Sequence, residues 1–204
     1  MKFYLLIIAF CSFCALGQDK TPDGYALAPA LSITGDFDGD GKQDTLSQFA
    51  TDSLGNTVKH IIELNEDDHP IILYDRYGYR GAATLNGKGT DLVSGTDIYL
   101  CCLINLGNIN KAKGDEIAFV PTNLDYSALS HCSIYSYCKG RWVEVFSFGV
   151  NENAFDYEGD SKPVFTTIPG ALEKHNGKWV YLDYYEMIEQ DKPKMKLLKA
   201  KSCK

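Results

Sequence analysis

The segment Gly35-Asp36-Phe37-Asp38-Gly39-Asp40-Gly41-Lys42-Gln43-Asp44 sets the tightest limit on how this chain folds, because it crowds four carboxylates onto one short loop. Like charges at this spacing repel, and Lys42 alone does not neutralise them, so an ordered loop calls for a divalent cation. The acids stand at loop positions 1, 3, 5 and 9 with glycine at position 6. That register suits calcium, a hard ion that takes about six to eight oxygen ligands in flexible geometry. The expected ligands are side-chain oxygens of Asp36, Asp38 and Asp40, the backbone carbonyl of Lys42, and Asp44, which closes the site. Ser47 occupies the position where a helix-loop-helix hand places a bidentate glutamate, and it cannot act as one. The flanks, Leu31-Ser32-Ile33-Thr34 and Thr45-Leu46-Ser47-Gln48-Phe49, alternate apolar and polar, so the loop is expected to join two strands. A solvated Asp-Gly turn would account for the residue types but not for four acids in this register.

The run from Ile33 to Asp44 resembles the calcium loop of FG-GAP and VCBS repeats, the blade units of integrin-type β-propellers. The resemblance implies bound Ca2+, blade-like strands, and a role in adhesion or ligand display rather than one particular reaction. A second copy follows 72 residues later, where Gly107 to Ile117 aligns without gaps on Gly35 to Thr45. Its acids have been replaced. Asn108 and Asn110 stand for Asp36 and Asp38, Ala112 for Asp40 and Lys113 for Gly41, and Glu116 keeps an acid at the closing position. The copy is expected to keep the scaffold role and to hold no calcium.

Residues 1–17 read as a secretory signal: Lys2, an apolar run from Phe3 to Leu16, and a small-x-small site at Ala15-Leu16-Gly17. The expected location is therefore secreted or periplasmic, with residues 18–204 forming one domain. Cys11 and Cys14 each follow a phenylalanine, which disfavours lipidation, and a start at Gln18 resembles exported Bacteroidetes proteins. No stretch reaches the ~20 apolar residues of a spanning helix, so no transmembrane helix is expected. The formal charge is −7, which disfavours a nucleic-acid partner. The lysines that crowd the C-terminus, Lys192 to Lys204, read as a charged sheet edge that resists aggregation.

Beyond the expected signal stand five cysteines, Cys101, Cys102, Cys132, Cys138 and Cys203, and export favours disulfides. Cys132 and Cys138 share one expected strand, where a rise of ~3.3 Å per residue puts them near 20 Å apart. That is beyond disulfide reach, so each is expected to meet Cys101 or Cys102 instead. The histidines His60, His69, His131 and His175 show no zinc-ligand spacing with these cysteines.

The remaining pattern is strands and turns. Asp97 to Ile104 is an apolar run suited to a strand covered on both faces, and Ile117 to Val120 follows the second loop. Cys132–Cys138, the turn Lys139-Gly140 and Arg141–Phe148 form an expected hairpin. A turn followed by basic-Trp-Val recurs 37 residues on, at Asn176-Gly177 and Lys178-Trp179-Val180, with the second strand reaching Tyr185. Lys194 to Ala200 is expected to return as a final strand. The expected fold is all-β: antiparallel blade-like meanders stacked as a partial propeller or a β-sandwich.

No G-x-S-x-G, H-E-x-x-H, Walker or dinucleotide motif is present, and the acids of Phe155-Asp156-Tyr157-Glu158-Gly159-Asp160 read as a solvated loop. No catalytic residue is assigned. The expected function is a non-catalytic, calcium-stabilised binding module with a protein or glycan partner. An inhibitor or immunity protein acting on a cell-wall-degrading enzyme and a carbohydrate-binding or carbohydrate-active protein are the alternatives. Tyr74, Tyr77 and Tyr79, in a segment interleaved with Arg76, Gly78, Arg80 and Gly81, are the expected partner-binding residues on an exposed loop.

Overall fold

The computed structural model describes residues 21–28, 30–63, 76–93, 100–121, 128–157, 160–161, 164–189 and 193–203. The N-terminal segment read as a signal, Tyr74, His69 and Glu158 lie outside the described residues. Among the described residues sixteen strands follow in chain order. The first seven are β1 (Tyr25–Leu27), β2 (Ser32–Gly35), β3 (Asp44–Thr51), β4 (Thr57–Val58), β5 (His60–Ile62), β6 (Arg80–Leu85) and β7 (Lys88–Val93). The next four are β8 (Leu100–Gly107), β9 (Glu116–Pro121), β10 (Leu129–Cys138) and β11 (Arg141–Asn151). The last five are β12 (Asp156–Tyr157), β13 (Asp160–Ser161), β14 (Leu172–His175), β15 (Lys178–Tyr181) and β16 (Lys196–Leu197). A short helix, α1 (Tyr184–Glu189), precedes β16.

Two four-stranded antiparallel meanders dominate. The first runs β2-β3-β6-β7, with β4 paired beside β3, and the second runs β8-β9-β10-β11. Each opens with a strand pair joined by an Asp- or Asn-bearing loop, residues 36–43 in the first and 108–115 in the second. The sheets therefore repeat one plan, and β2 packs beside β8. A third sheet, β14-β15-β16, lies on the far side, and β1-β5 and β12-β13 are small pairs. The fold is all-β, as the alternating pattern predicts, with stacked meanders and no closed barrel among the described residues.

The second sheet is the middle layer because its strands are apolar on both faces. Leu103, Ile117 and Phe119 point into one core with Ile33, Phe37, Leu46 and Leu85 of the first sheet. Their neighbours Cys102, Ile104, Ala118 and Val120 point into the other with Leu172, Trp179 and Leu198 of the third unit. Period-2 alternation divides one strand between two cores, and that is why Leu100–Gly107 lacks the polar alternation of a half-exposed strand.

Turn chemistry sets the hairpins. Asn86-Gly87, Lys139-Gly140 and Asn176-Gly177 all take positive φ at both residues, between 50° and 82°. This is the two-residue geometry that matches strand twist and favours Asn-Gly. The predicted hairpin at Lys139-Gly140 is present, pairing Cys138 with Arg141, and the one at Asn176-Gly177 pairs His175 with Lys178.

Three expectations need correction. The strand projected to Tyr185 stops at Tyr181, and Tyr184–Glu189 is helical, because the carboxylate of Asp183 accepts the Tyr185 backbone N–H at 3.1 Å and caps the helix. The final strand contracts from residues 194–200 to Lys196–Leu197; Leu198 still donates its N–H to Trp179 O, and the tail then leaves the sheet. The cysteine pairing also differs. Cys132 and Cys138 do not bond to each other, but neither meets Cys102: Cys138 bonds to Cys203, and Cys102 and Cys132 are buried thiols. Topology is the reason, since β9 lies between β8 and β10 and puts their Cα atoms ~10 Å apart, beyond disulfide reach.

Candidate metal centre

The register of β2 and β3 ends at Gly35 opposite Asp44, so the intervening residues must coil back within one strand spacing. Gly39 and Gly41 supply the left-handed turns, at φ 73° and 84°. Phe37 is fully buried between the two large sheets and anchors the loop. The coil turns backbone N–H groups onto the carboxylates. Asp40 N–H donates to Asp38 Oδ1 at 2.9 Å, Gly41 N–H to Asp36 Oδ2 at 3.1 Å, and Lys42 N–H to Asp40 Oδ1 at 2.8 Å. Carboxylate oxygens of Asp36, Asp38 and Asp40 thereby converge within 4.8 Å of one another.

Asp36 Oδ1 is the distinctive atom. It is buried and no hydrogen-bond donor reaches it, an arrangement that costs free energy unless a cation takes the place of the missing donor. Three converging carboxylates, one of which also carries a buried oxygen without a donor, fit a hard divalent ion. Lys42 is exposed, its ammonium 3.1 Å from Asp40 Oδ2. The Lys42 backbone N–H, and then its ammonium, hold the Asp40 carboxyl below the usual range, so it stays ionised and ready to bind a cation.

Asp44, expected to close the site, accepts hydrogen bonds with both oxygens. Its side chain is buried, Oδ2 accepts the N–H groups of Phe37 and Asp38 at 3.0 and 3.3 Å, and Oδ1 accepts Asn86 Nδ2 at 2.6 Å. It frames the loop from below and is not one of the three converging acids. Asn86 completes the frame by accepting the Thr45 N–H at 2.8 Å. Sequence reading missed Asn86, although its Asn-Gly pair was a turn signal.

The second loop preserves this frame with altered chemistry. Ile109 and Asn110 donate their N–H groups to Glu116 Oε2 at 2.9 and 3.2 Å, and Ala112 N–H donates to Asn110 Oδ1 at 2.6 Å. Each bond matches its counterpart in the first loop at the 72-residue offset, and Lys111 takes φ 60° where Gly39 takes 73°. Glu116 is fully buried, with its second oxygen accepting the Ser136 hydroxyl at 2.8 Å. Burial pushes its carboxyl above the ordinary value.

The two loops interlock. Asp115 Oδ2 accepts the Asp36 N–H at 3.2 Å and Asn105 Nδ2 at 3.1 Å, Asp115 N–H donates to Asp36 O at 2.8 Å, and Asn105 Nδ2 also reaches Thr34 O at 2.9 Å. The backbone at Asp36 is thus held from the second loop, which positions the metal-facing side chain. Contact is close enough that a Cβ on Gly114 would sit 2.2 Å from Phe37 O. Gly107 shares the left-handed conformation, at φ 72°, but a Cβ there meets nothing within 4 Å. Gly107→Ala is therefore expected to cost ~1 kcal/mol for backbone conformation, and Gly114→Ala that plus ~1–3 kcal/mol of overpacking. Paired denaturant melts measure the difference, and equal losses would show that the loops do not press together.

The tyrosine segment separates. Tyr77 is exposed, but Tyr79 is 6% exposed and packs with Ala50 and Ile61, its ring stacked on Tyr77 at 5.6 Å. The expectation of one exposed loop fails because Arg80–Leu85 is β6, whose pairing with β3 draws the residue before it into the interior. Among the described residues no helix is long and apolar enough to cross a membrane. No family model, curated protein or solved structure matches the chain.

Proposed function

We propose that this chain is a calcium-stabilised β-module that binds a partner without performing chemistry, with Asp36, Asp38 and Asp40 holding the ion. The observation that carries the metal reading is the convergence of three carboxylates, together with a buried Asp36 oxygen that has no donor. Calcium is favoured over magnesium because a loop that supplies three acids and leaves several positions to carbonyls and water tolerates the larger ion's flexible coordination. Its role is structural. The ion joins the three carboxylates of a loop that is itself bolted to the second sheet, so metal binding stiffens the junction between the two meanders. A binding role for the module accords with a stiff frame that presents Tyr77 at the surface. Export and likeness to FG-GAP-type blades belong to the same reading.

The test is thermal unfolding in chelator, calcium and magnesium. Calcium at about a hundredfold its Kd is expected to stabilise the protein by ~2.7 kcal/mol, magnesium by less, and Asp38→Asn to reduce the gain. Identical melting in chelator and calcium would overturn the metal reading.

A further inference from the structure

On the far side of the second loop, a cleft of about 570 Å³ opens between that loop, the β14–β15 hairpin and the C-terminal segment. Lys111, Lys174, Lys178 and Lys199 line it, with no acidic residue in its wall. Among the described residues no carboxylate lies within ion-pair distance of any of the four. Lys174 has a different partner, its ammonium standing 4.7 Å over the Trp179 ring. Ile109, Leu197 and Leu198 supply an apolar side. The volume is that of a small-ligand site.

Comparison of the two loops sharpens the point. They share their amide-capping bonds, but their surface charge differs: the first exposes Asp38 and Asp40 beside Lys42, the second Lys111 and Lys113. The chain as a whole carries −7, so a cleft walled by lysines alone runs against its overall charge. Uncompensated ammonium groups around a concave surface concentrate anions there. Asn110 Nδ2 is turned to Lys201 O and Asn108 Nδ2 to Ala112 O, which fixes the loop backbone beneath Lys111.

We propose that this cleft binds a small polyanion, a ligand with two or more phosphate or carboxylate groups on a compact frame. The second loop keeps the frame of the first and turns a lysine into the cleft. The site stands apart from the acidic loop, and the proposal does not depend on calcium.

The experiment titrates inorganic pyrophosphate and, separately, citrate into the protein in calcium-free buffer, following the two tryptophan indole N–H resonances and the heat of binding. Saturable movement of the Trp179 resonance, with that of Trp142 unmoved, is expected with at least one probe. Response to pyrophosphate alone identifies a phosphate ligand, to citrate alone a carboxylate ligand, and to both a site that reads charge number. Lys111→Glu combined with Lys178→Glu is expected to weaken binding at least about tenfold, and Lys139→Glu, on the β10–β11 turn outside the cleft wall, to leave it unchanged. No Trp179 response to either probe at roughly 10 mM, or equal weakening by Lys139→Glu, would overturn the proposal. Thermal unfolding of each variant distinguishes lost binding from lost folding.

Discussion

Glu116→Ala is expected to destabilise the protein by ~4 kcal/mol, because it removes the acceptor of two half-buried N–H groups and of the buried Ser136 hydroxyl. Glu116→Gln should behave differently. Its carbonyl oxygen can accept the Ile109 and Asn110 N–H groups, and its amide can donate to Ser136 Oγ, so stability near neutral pH is expected to be held or raised. The pH dependence separates the two charge states. Burial raises the Glu116 carboxyl above its value of 4.5 in an unfolded chain, so the folded state binds the proton more tightly. The resulting stability is fully present below 4.5 and is lost as pH rises through the folded value. The difference between wild type and Glu116→Gln should therefore shift toward the wild type as pH falls to that range. Denaturant melts across pH check it, and a pH-independent difference would mean that Glu116 is ionised in the folded protein at no cost.

Loss of the Cys138–Cys203 disulfide is expected to have an effect of similar size. The bridge spans 65 residues, and chain-entropy reasoning assigns such a closure ~4 kcal/mol. It also holds the tail that carries Leu198 into the core between the second and third sheets. Cys203→Ser, or reduction, should lower the melting temperature by the same amount, and a further reductant should not alter the variant. Cys102 and Cys132 are buried, and burial pushes the Cys132 thiol far above its ordinary value, so neither should react with a thiol reagent until the protein unfolds. Rapid native labelling of either would contradict the buried arrangement.

The parts of this molecule that were legible in its sequence are those set by neighbours in the chain. Spacing of Asp36, Asp38 and Asp40 defines a cluster that the folded loop brings together, and Lys139-Gly140 and Asn176-Gly177 mark hairpins through the φ values they demand. The bond from Asn86 to Asp44 was not legible, because Asn86 lies on another hairpin of the same sheet. Asp115 was passed over for the same reason: it acts on Asp36, 79 residues away, and only the packing of β2 beside β8 unites them. Tyr79 reads as a loop residue beside glycine and arginine until the pairing of β3 with β6 covers it. The cysteine pairing depended on strand order, which no local pattern encodes.

The most direct test of the metal reading is a calorimetric titration of calcium into chelator-stripped protein and into its Asp40→Ala variant. One ion per chain is predicted, with affinity in the ~micromolar to millimolar range of sensors and extracellular modules, and uptake abolished or severely weakened by Asp40→Ala. No calcium uptake by the wild type, or uptake that survives Asp40→Ala undiminished, would contradict it.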